Sequence, residues 1–191
     1  MHVRPATFED QDAIMKLYDA GRSIMRENGN YSQWINGYPS NQMVSEDIER
    51  GQCFVVCDDV AASAEDHMCG QSIEADSRAG GARVAVADAP ALRGVFMFAL
   101  GDDPTYAVIE DGAWLNDEPY GVIHRISSDG SARGILRMAV DFALARTNNV
   151  RIDTHADNAI MQRALQKAGF ARCGTIFCHD GTPRIAFQLA V

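Results

Sequence analysis

The sequence has no run of apolar residues close to the roughly 20 needed to span a bilayer. Its opening, MHVRPATFED, is charged almost at once and lacks the apolar core of a secretory signal. Positive charge is also scarce. Seventeen Lys and Arg stand against 26 Asp and Glu, giving a net charge of −9 and a pI of about 4.9. That balance argues against nucleic acid, whose phosphates need a basic face, and against an anionic membrane surface. It is compatible with a cationic substrate such as an amine, and equally with plain solubility. The mononucleotide pattern GxxxxGK[ST] and the dinucleotide pattern GxGxxG are both missing. The five cysteines, Cys53, Cys57, Cys69, Cys173 and Cys178, form no CxxC pair. Structural zinc uses tighter paired spacing, so no metal is expected. An odd cysteine count in a chain of this size points to a reduced compartment, and the expected location is the cytoplasm.

What is present fits one globular domain. The chain has 191 residues, 47% of them apolar and 23% charged. It can bury roughly 70% of the surface its unfolded form exposes, so it needs no staples. Residues 2–5 read as a strand. Thr7, with Asp10 three residues on, caps a helix from Phe8 to Met25, with Ile14, Leu17, Tyr18, Gly21 and Met25 on one face. The stretch 28–39, NGNYSQWINGYP, reads as a loop, and Ser40 or Asn41 starts a second helix that runs to about Arg50. Residues 52–57 and 92–100 read as paired strands. Between them, about residues 59–91, lies an Ala-, Gly-, Ser- and Asp-rich segment, read as a flexible insertion with a short strand at Arg83–Ala87. Residues 104–109 extend the meander and 119–127 form another strand.

A polar loop, SSDGSARG, then leads into a helix from about Ser131 to Arg146. Residues 150–155 form a strand, Asp157 or Asn158 caps a helix ending at Gly169, and 170–178 with 183–189 make a terminal hairpin. The predicted order is β-α-α-β-β-β-α-β-α-β-β, an α+β chain with a mixed, twisted sheet between helices. The unit at 121–155 is expected to be parallel.

Two units carry chemistry. A strand feeding a glycine loop and a helix N-terminus is an anion site, because the unpaired first-turn amides and the helix dipole both favour negative charge. Gly134 lets the backbone approach a ligand, and Arg133 adds a cation. The bland alternative is an ordinary loop glycine. The second unit, residues 154–170, is a capped amphipathic helix closed by Lys167-Ala168-Gly169-Phe170.

The element order, the glycine-loop helix, Asn158 with the KAGF ending, and the opening His2-Val3-Arg4-Pro5-Ala6-Thr7 together resemble the GNAT (Gcn5-related) N-acetyltransferase superfamily. The resemblance covers nearly the whole chain except about residues 59–91. The stretch Gln33, Trp34, Gly37, Tyr38, Pro39 and the stretch His124–Gly130 resemble a bacterial subgroup. The resemblance implies an acetyl-CoA cosubstrate. Its cofactor loop maps to Ser131, Ala132, Arg133, Gly134, Ile135 and Leu136, where Ser131 and Leu136 depart from the family's Gln/Arg and small residue. It also implies that the preceding strand splays from its neighbour and pairs with the pantetheine arm near Ile126 and Ser128. Asn158 approaches the cofactor from the later helix. The position of the family's general-acid tyrosine is Leu165 here.

The implied reaction is direct attack of a primary amine on the thioester, without metal. The acceptor is a small-molecule amine or a peptide or protein amine, and a homodimer is compatible with the family. His124 and Glu110 are the candidate bases, with Asp111 and His155 behind them. Each has a structural alternative: a strand histidine, a solvated loop charge, or a ring bound to backbone. Trp34 and Tyr38 lie in the loop that overlies the family's acceptor site, where they either bind an amine's alkyl chain or anchor the loop. The competing functions are a catalytically weak or inactive acyl-CoA sensor, which the Leu136 and Leu165 departures favour, and a domain without a CoA site.

Overall fold

The computed structural model describes residues 1–59 and 90–191. Nearly all of the predicted insertion, the strand at Arg83–Ala87 and Cys69 lie outside the described residues.

The element order is the predicted one. Strands β1 (His2–Pro5), β2 (Cys53–Cys57), β3 (Leu92–Leu100), β4 (Gly121–Ser128), β5 (Asn149–Thr154), β6 (Ala171–Phe177) and β7 (Pro183–Ala190) form one sheet. Its order is β1-β2-β3-β4-β5-β7-β6. Only the β4–β5 pair is parallel among these neighbours. Helices α1 (Gln11–Glu27), α2 (Asn41–Glu49), α3 (Ile135–Leu144) and α4 (Ala159–Lys167) cover it.

The sheet's alternation builds two cores. Ile123, Val56 and Phe96 face α3 and α4, meeting Ala139, Ala143 and Leu165. On the other face, Val55 and Val95 meet Ile14 and Leu17 of α1 and Val44 and Ile48 of α2. That makes three layers. A third cluster, Tyr106, Tyr120, Val122, Ile176 and Ala186, seals the far half of this second face. Gly21 lets α1 lie directly on β4, since a Cβ there would collide with Ser127 Oγ. Ser127 Oγ in turn donates to the Leu17 carbonyl at 2.8 Å.

Three expectations need correction. Residues 104–109 do not extend the meander. Pro104 begins a single 3-10 turn, Pro104–Tyr106, capped by Asp103, because proline sets a helical φ and has no N–H for a ladder. The helix expected from Ser131 starts at Ile135, because Gly134 sits at its N-cap in the left-handed region (φ 86°) and a helix cannot pass through that geometry. The capping signals at Ser40 and Asn158 hold, whereas Thr7 caps a 3-10 turn, Phe8–Asp10, and α1 proper starts only at Gln11. Ser40 Oγ accepts from the Met43 N–H, and Asn158 Oδ1 from the Met161 N–H. Asp10 accepts from the Thr7 N–H and is gripped by both terminal nitrogens of Arg4.

Two features of β4 position the site. It pairs with β5 only at Gly121 and Val122, beyond which the two strands separate. It also carries a bulge: the register with β3 slips between Val95 and Met97, and Arg125 takes φ 50°.

Candidate active site

The separating strands open a cavity of about 780 Å3. Its walls are His124, Arg125 and Ile126 of β4, Asp153 and Thr154 of β5, Asn158 of α4, and the loop residues Trp34 and Tyr38. The bulge explains why successive β4 residues face one space: an extra residue interrupts the strict alternation of a strand.

His124 is the chemical centre of this cavity. Its Nε2 lies 2.8 Å from Asp103 Oδ2, and its Nδ1 lies 3.5 Å from Asp153 Oδ1. The shorter contact is a hydrogen bond and assigns a proton to Nε2. The longer one is beyond hydrogen-bonding range, which leaves Nδ1 with a free lone pair on the neutral ring. Asp103 holds the ring in this tautomer, and the hydrogen bond from His124 keeps the Asp103 carboxyl well below the usual carboxylate range. Asp153 accepts from the Tyr106 hydroxyl at 2.8 Å and has Arg184 Nε at 3.9 Å, so it keeps acceptor capacity for a cation. Burial, with Asp153 adding to it, pushes the Tyr106 hydroxyl far up, so it stays a donor.

Arg125 is largely enclosed and donates to Asp47 Oδ2 of α2 at 2.6 Å. Its Nε is buried without a partner among the described residues. Burial works against the Arg125 charge, but Asp47, Tyr38 and Tyr18 together outweigh it, and the net effect is upward. Burial pushes the Asp47 carboxyl up despite Arg125.

A second cavity, about 400 Å3, lies between the end of β4 and α4. It is lined by Ile126, Ser128, Ile135, Leu136 and Asn158, all expected near a cofactor. At its edge the first backbone bond of α3 runs from the Met138 N–H to the Gly134 carbonyl, and no side chain caps the helix. The amides of the first turn therefore remain available to an anion. Ser131, Ala132 and Arg133 form the turn before it. Asp129 Oδ1 accepts both the N–H and the hydroxyl of Ser131, which fixes that turn. A Cβ at Gly134 would meet nothing within 4 Å, so the glycine answers to its φ rather than to crowding.

Asn158 lines both cavities. Its Nδ2 donates to Gln33 Oε1 at 3.0 Å, and Asn30 Nδ2 donates to the same oxygen at 2.8 Å. The loop over the site is thereby tied to α4. Trp34 is 8% exposed, edge-on to Tyr18, and in the left-handed region (φ 57°), so it anchors the loop as well as lining the cavity. Tyr38 is more open.

The other candidate bases are placed elsewhere. Glu110 exchanges two 2.8 Å backbone bonds with Thr175 and lines neither cavity, as a bridge residue on the edge of β6. Asp111 is exposed. His155 Nδ1 accepts the Asp157 N–H. Sequence reading missed Asp103, Asp153, Arg125 and Asp47. Asp153 left one signal, an acid inside the otherwise buried β5. Asp103 left none, since only folding brings it onto His124, 21 residues further along the chain.

No family model and no curated protein matches the sequence. Among solved structures, a GNAT-family acetyltransferase from Streptococcus agalactiae 2603 aligns with TM-score 0.76 at 25% identity, covering 100% of this chain and 95% of that one. The chain belongs to the GNAT superfamily. A GNAT-family acetyltransferase from Listeria monocytogenes 4b F2365 aligns with TM-score 0.61 at 18% identity, over 99% of this chain and 94% of that one. A chain of the NatC complex bound to Gag peptide and CoA aligns with TM-score 0.54 at 13% identity, over 100% and 99%. In this GNAT chain Leu165, which the resemblance sets at the family's tyrosine position, is fully buried in the α3–α4 core. Among the described residues no helix is long and apolar enough to cross a membrane, and no cluster of His, Cys, Asp and Glu is arranged to hold a metal.

Proposed function

We propose that this chain is an acetyl-CoA-dependent N-acetyltransferase that acts on a primary amine by direct transfer. The observation that carries the reading is the meeting of two cavities at the gap between β4 and β5, one bordered by the α3 N-terminus and the other by His124. The residues present fit acetyl-CoA. The uncapped first turn of α3, with Gly134 and Arg133, receives the diphosphate. The β4 edge released from β5 near Ile126 and Ser128 pairs with the pantetheine arm. Asn158 flanks both.

The acceptor amine enters beside His124 and Asp153. Asp153 attracts the ammonium, and His124 Nδ1, directly or through water, takes its proton. The amine nitrogen then forms a bond to the thioester carbonyl carbon, the carbon–sulfur bond breaks, and the electron pair leaves on sulfur. Unpaired β4 amides stabilise the oxyanion. Leu165 supplies no proton, and a free thiol of pKa about 8.5 leaves adequately as thiolate. Trp34 and Tyr38 form the acceptor's apolar wall. The cytoplasm remains the proposed location, and the acidic balance favours a small cationic acceptor.

The test is acetyl-CoA binding by thermal shift, with thiol release measured on an amine panel. At a hundredfold excess over Kd, binding should add about 2.7 kcal/mol. The absence of any shift at millimolar acetyl-CoA would remove the proposal. The buried Leu165 favours a second reading, an acyl-CoA-binding sensor, which predicts the same shift with no turnover of any amine.

A further inference from the structure

Arg50, Arg125 and Arg184 all line the acceptor cavity, and of the three only Arg125 has a buried donor without a partner among the described residues. Arg125 carries five N–H donors. Among the described residues its side chain makes one hydrogen bond of good geometry, to Asp47 Oδ2, and the Tyr38 hydroxyl lies near enough to favour its charge. Its Nε is buried without any partner among those residues. A part-buried guanidinium whose Nε meets no protein acceptor is costly unless something else meets that donor. The residue is also held at φ 50°, a region that a long side chain rarely adopts. That backbone geometry turns Arg125 into the cavity beside His124.

Elsewhere in the cavity the charges are engaged differently. Asp103 is occupied by His124 and the Thr105 N–H. Asp180 takes the N–H and hydroxyl of Thr182. Among the described residues Asp153 has the Tyr106 hydroxyl at hydrogen-bond distance, with His124 Nδ1 at 3.5 Å and Arg184 Nε at 3.9 Å beyond it. The cavity thus offers one under-used carboxylate next to the base and one under-used guanidinium next to it on the same strand.

Resting on the proposed transferase reading, we infer that the acceptor is an amine that also carries a carboxylate: a free amino acid or a similarly compact amino-carboxylate. Its ammonium sits at Asp153 and His124. Its carboxylate sits on the open fork of Arg125, where planar two-point recognition suits a guanidinium better than an ammonium. The reaction forms the amide at the amine nitrogen and leaves the carboxylate untouched, as a handle for orientation. Arg125 is a specificity residue in this reading, and the Asp47 contact holds its side chain in place.

The experiment uses the full chain with saturating acetyl-CoA and reads thiol release. The panel is the common L-amino acids, β-alanine and γ-aminobutyrate, each beside its carboxamide and its decarboxylated amine. The best acid should exceed its own amide in kcat/KM by about 30-fold or more, as expected for a charge-assisted pair of hydrogen bonds. Arg125→Gln should bring that ratio close to one, mainly by raising KM for the acid, and Arg125→Lys should restore part of it. A purely structural clasp between β4 and α2 would lower all acceptors alike and leave the ratio unmoved, which overturns the inference. Should Arg125→Gln fail to fold, the ratio measured in Arg125→Lys and in the unaltered chain decides. Turnover of carboxylate-free amines only, or acetyl-CoA binding with no turnover of any acid, also overturns it. Loss of acetyl-CoA binding altogether would instead remove the transferase reading beneath it.

Discussion

A histidine between two carboxylates can act in only a few ways, and the distances choose among them. Asp103 takes the close position and fixes the tautomer, so Nδ1 is the atom left for proton transfer. His124→Ala should lower kcat by about 10²- to 10⁴-fold. An unchanged kcat would acquit His124. The same contact has a consequence for stability. The folded-state pKa of Asp103 is depressed from 3.8, first by the hydrogen bond from His124. A depressed acid stabilises the fold above its unfolded value, and that contribution is lost as pH falls from about 4 through the lower folded value. Asp103→Asn should therefore weaken the fold at neutral pH and flatten the acid side of the stability curve, as measured by urea unfolding from pH 3 to 7. Gly134 makes a different demand, purely on backbone. Gly134→Ala should cost about 1 kcal/mol at φ 86°, and Gly134→Asn less, because asparagine tolerates that region. Equal costs would mean that φ is not what selects the glycine.

At the scale of elements, α4 is held at its start by one side chain that serves both the helix and the loop above it. Asn158 caps the helix through the Met161 N–H and joins the 28–39 loop through Gln33. Asn158→Ala should cost about 1 kcal/mol in chemical denaturation from the cap alone. It should also weaken acetyl-CoA binding, because the loop is freed from α4 where the two cavities meet. Gln33→Ala isolates the loop contact, so binding should fall while the helix cap survives. The opposite pattern would make the contact incidental. β4 shows how an element becomes a site. Its first half is an ordinary strand in the sheet. Its second half loses β5 as a partner and gains a bulge, and every cavity-lining residue it contributes lies in that freed stretch or at its border.

At the scale of the molecule, the α3–α4 layer decides which chemistry is possible. Leu165 is fully enclosed there, against residues such as Ala139 and Ile152. Installing the family's tyrosine by Leu165→Tyr should therefore not restore a proton donor. It should overpack the core, lowering stability by about 1–3 kcal/mol without raising kcat. A stable, faster variant would show that the layer yields more readily than its packing implies. The far half of the sheet is closed in a different way. Arg151 lies over the rings of Trp114 and Tyr120, at 4.1 and 3.8 Å, and pins residues 114–120 to β5. This keeps the 103–106 turn, and with it Asp103, at a fixed place beside His124.

The order of the elements, the α+β class and the caps at Ser40 and Asn158 were legible in the chain itself, because each depends on neighbours within a turn or two. So was the grouping of Ile126, Ser128, Ile135 and Leu136 around one cavity, since they lie along one continuous strand–loop–helix. Residues 104–109 and the start of α3 were misjudged, where a proline and a left-handed glycine overrode apolar periodicity. Which candidate base faces the cavity was settled only by folding. Asp103, Asp153 and Asp47 reach His124 and Arg125 across strands, loops and helices far apart in the chain, with Asp47 and Arg125 separated by 78 positions. Hydrogen-bond partners at such distances leave no periodic trace, because it is the packing of layers, and not the spacing along the chain, that brings them together.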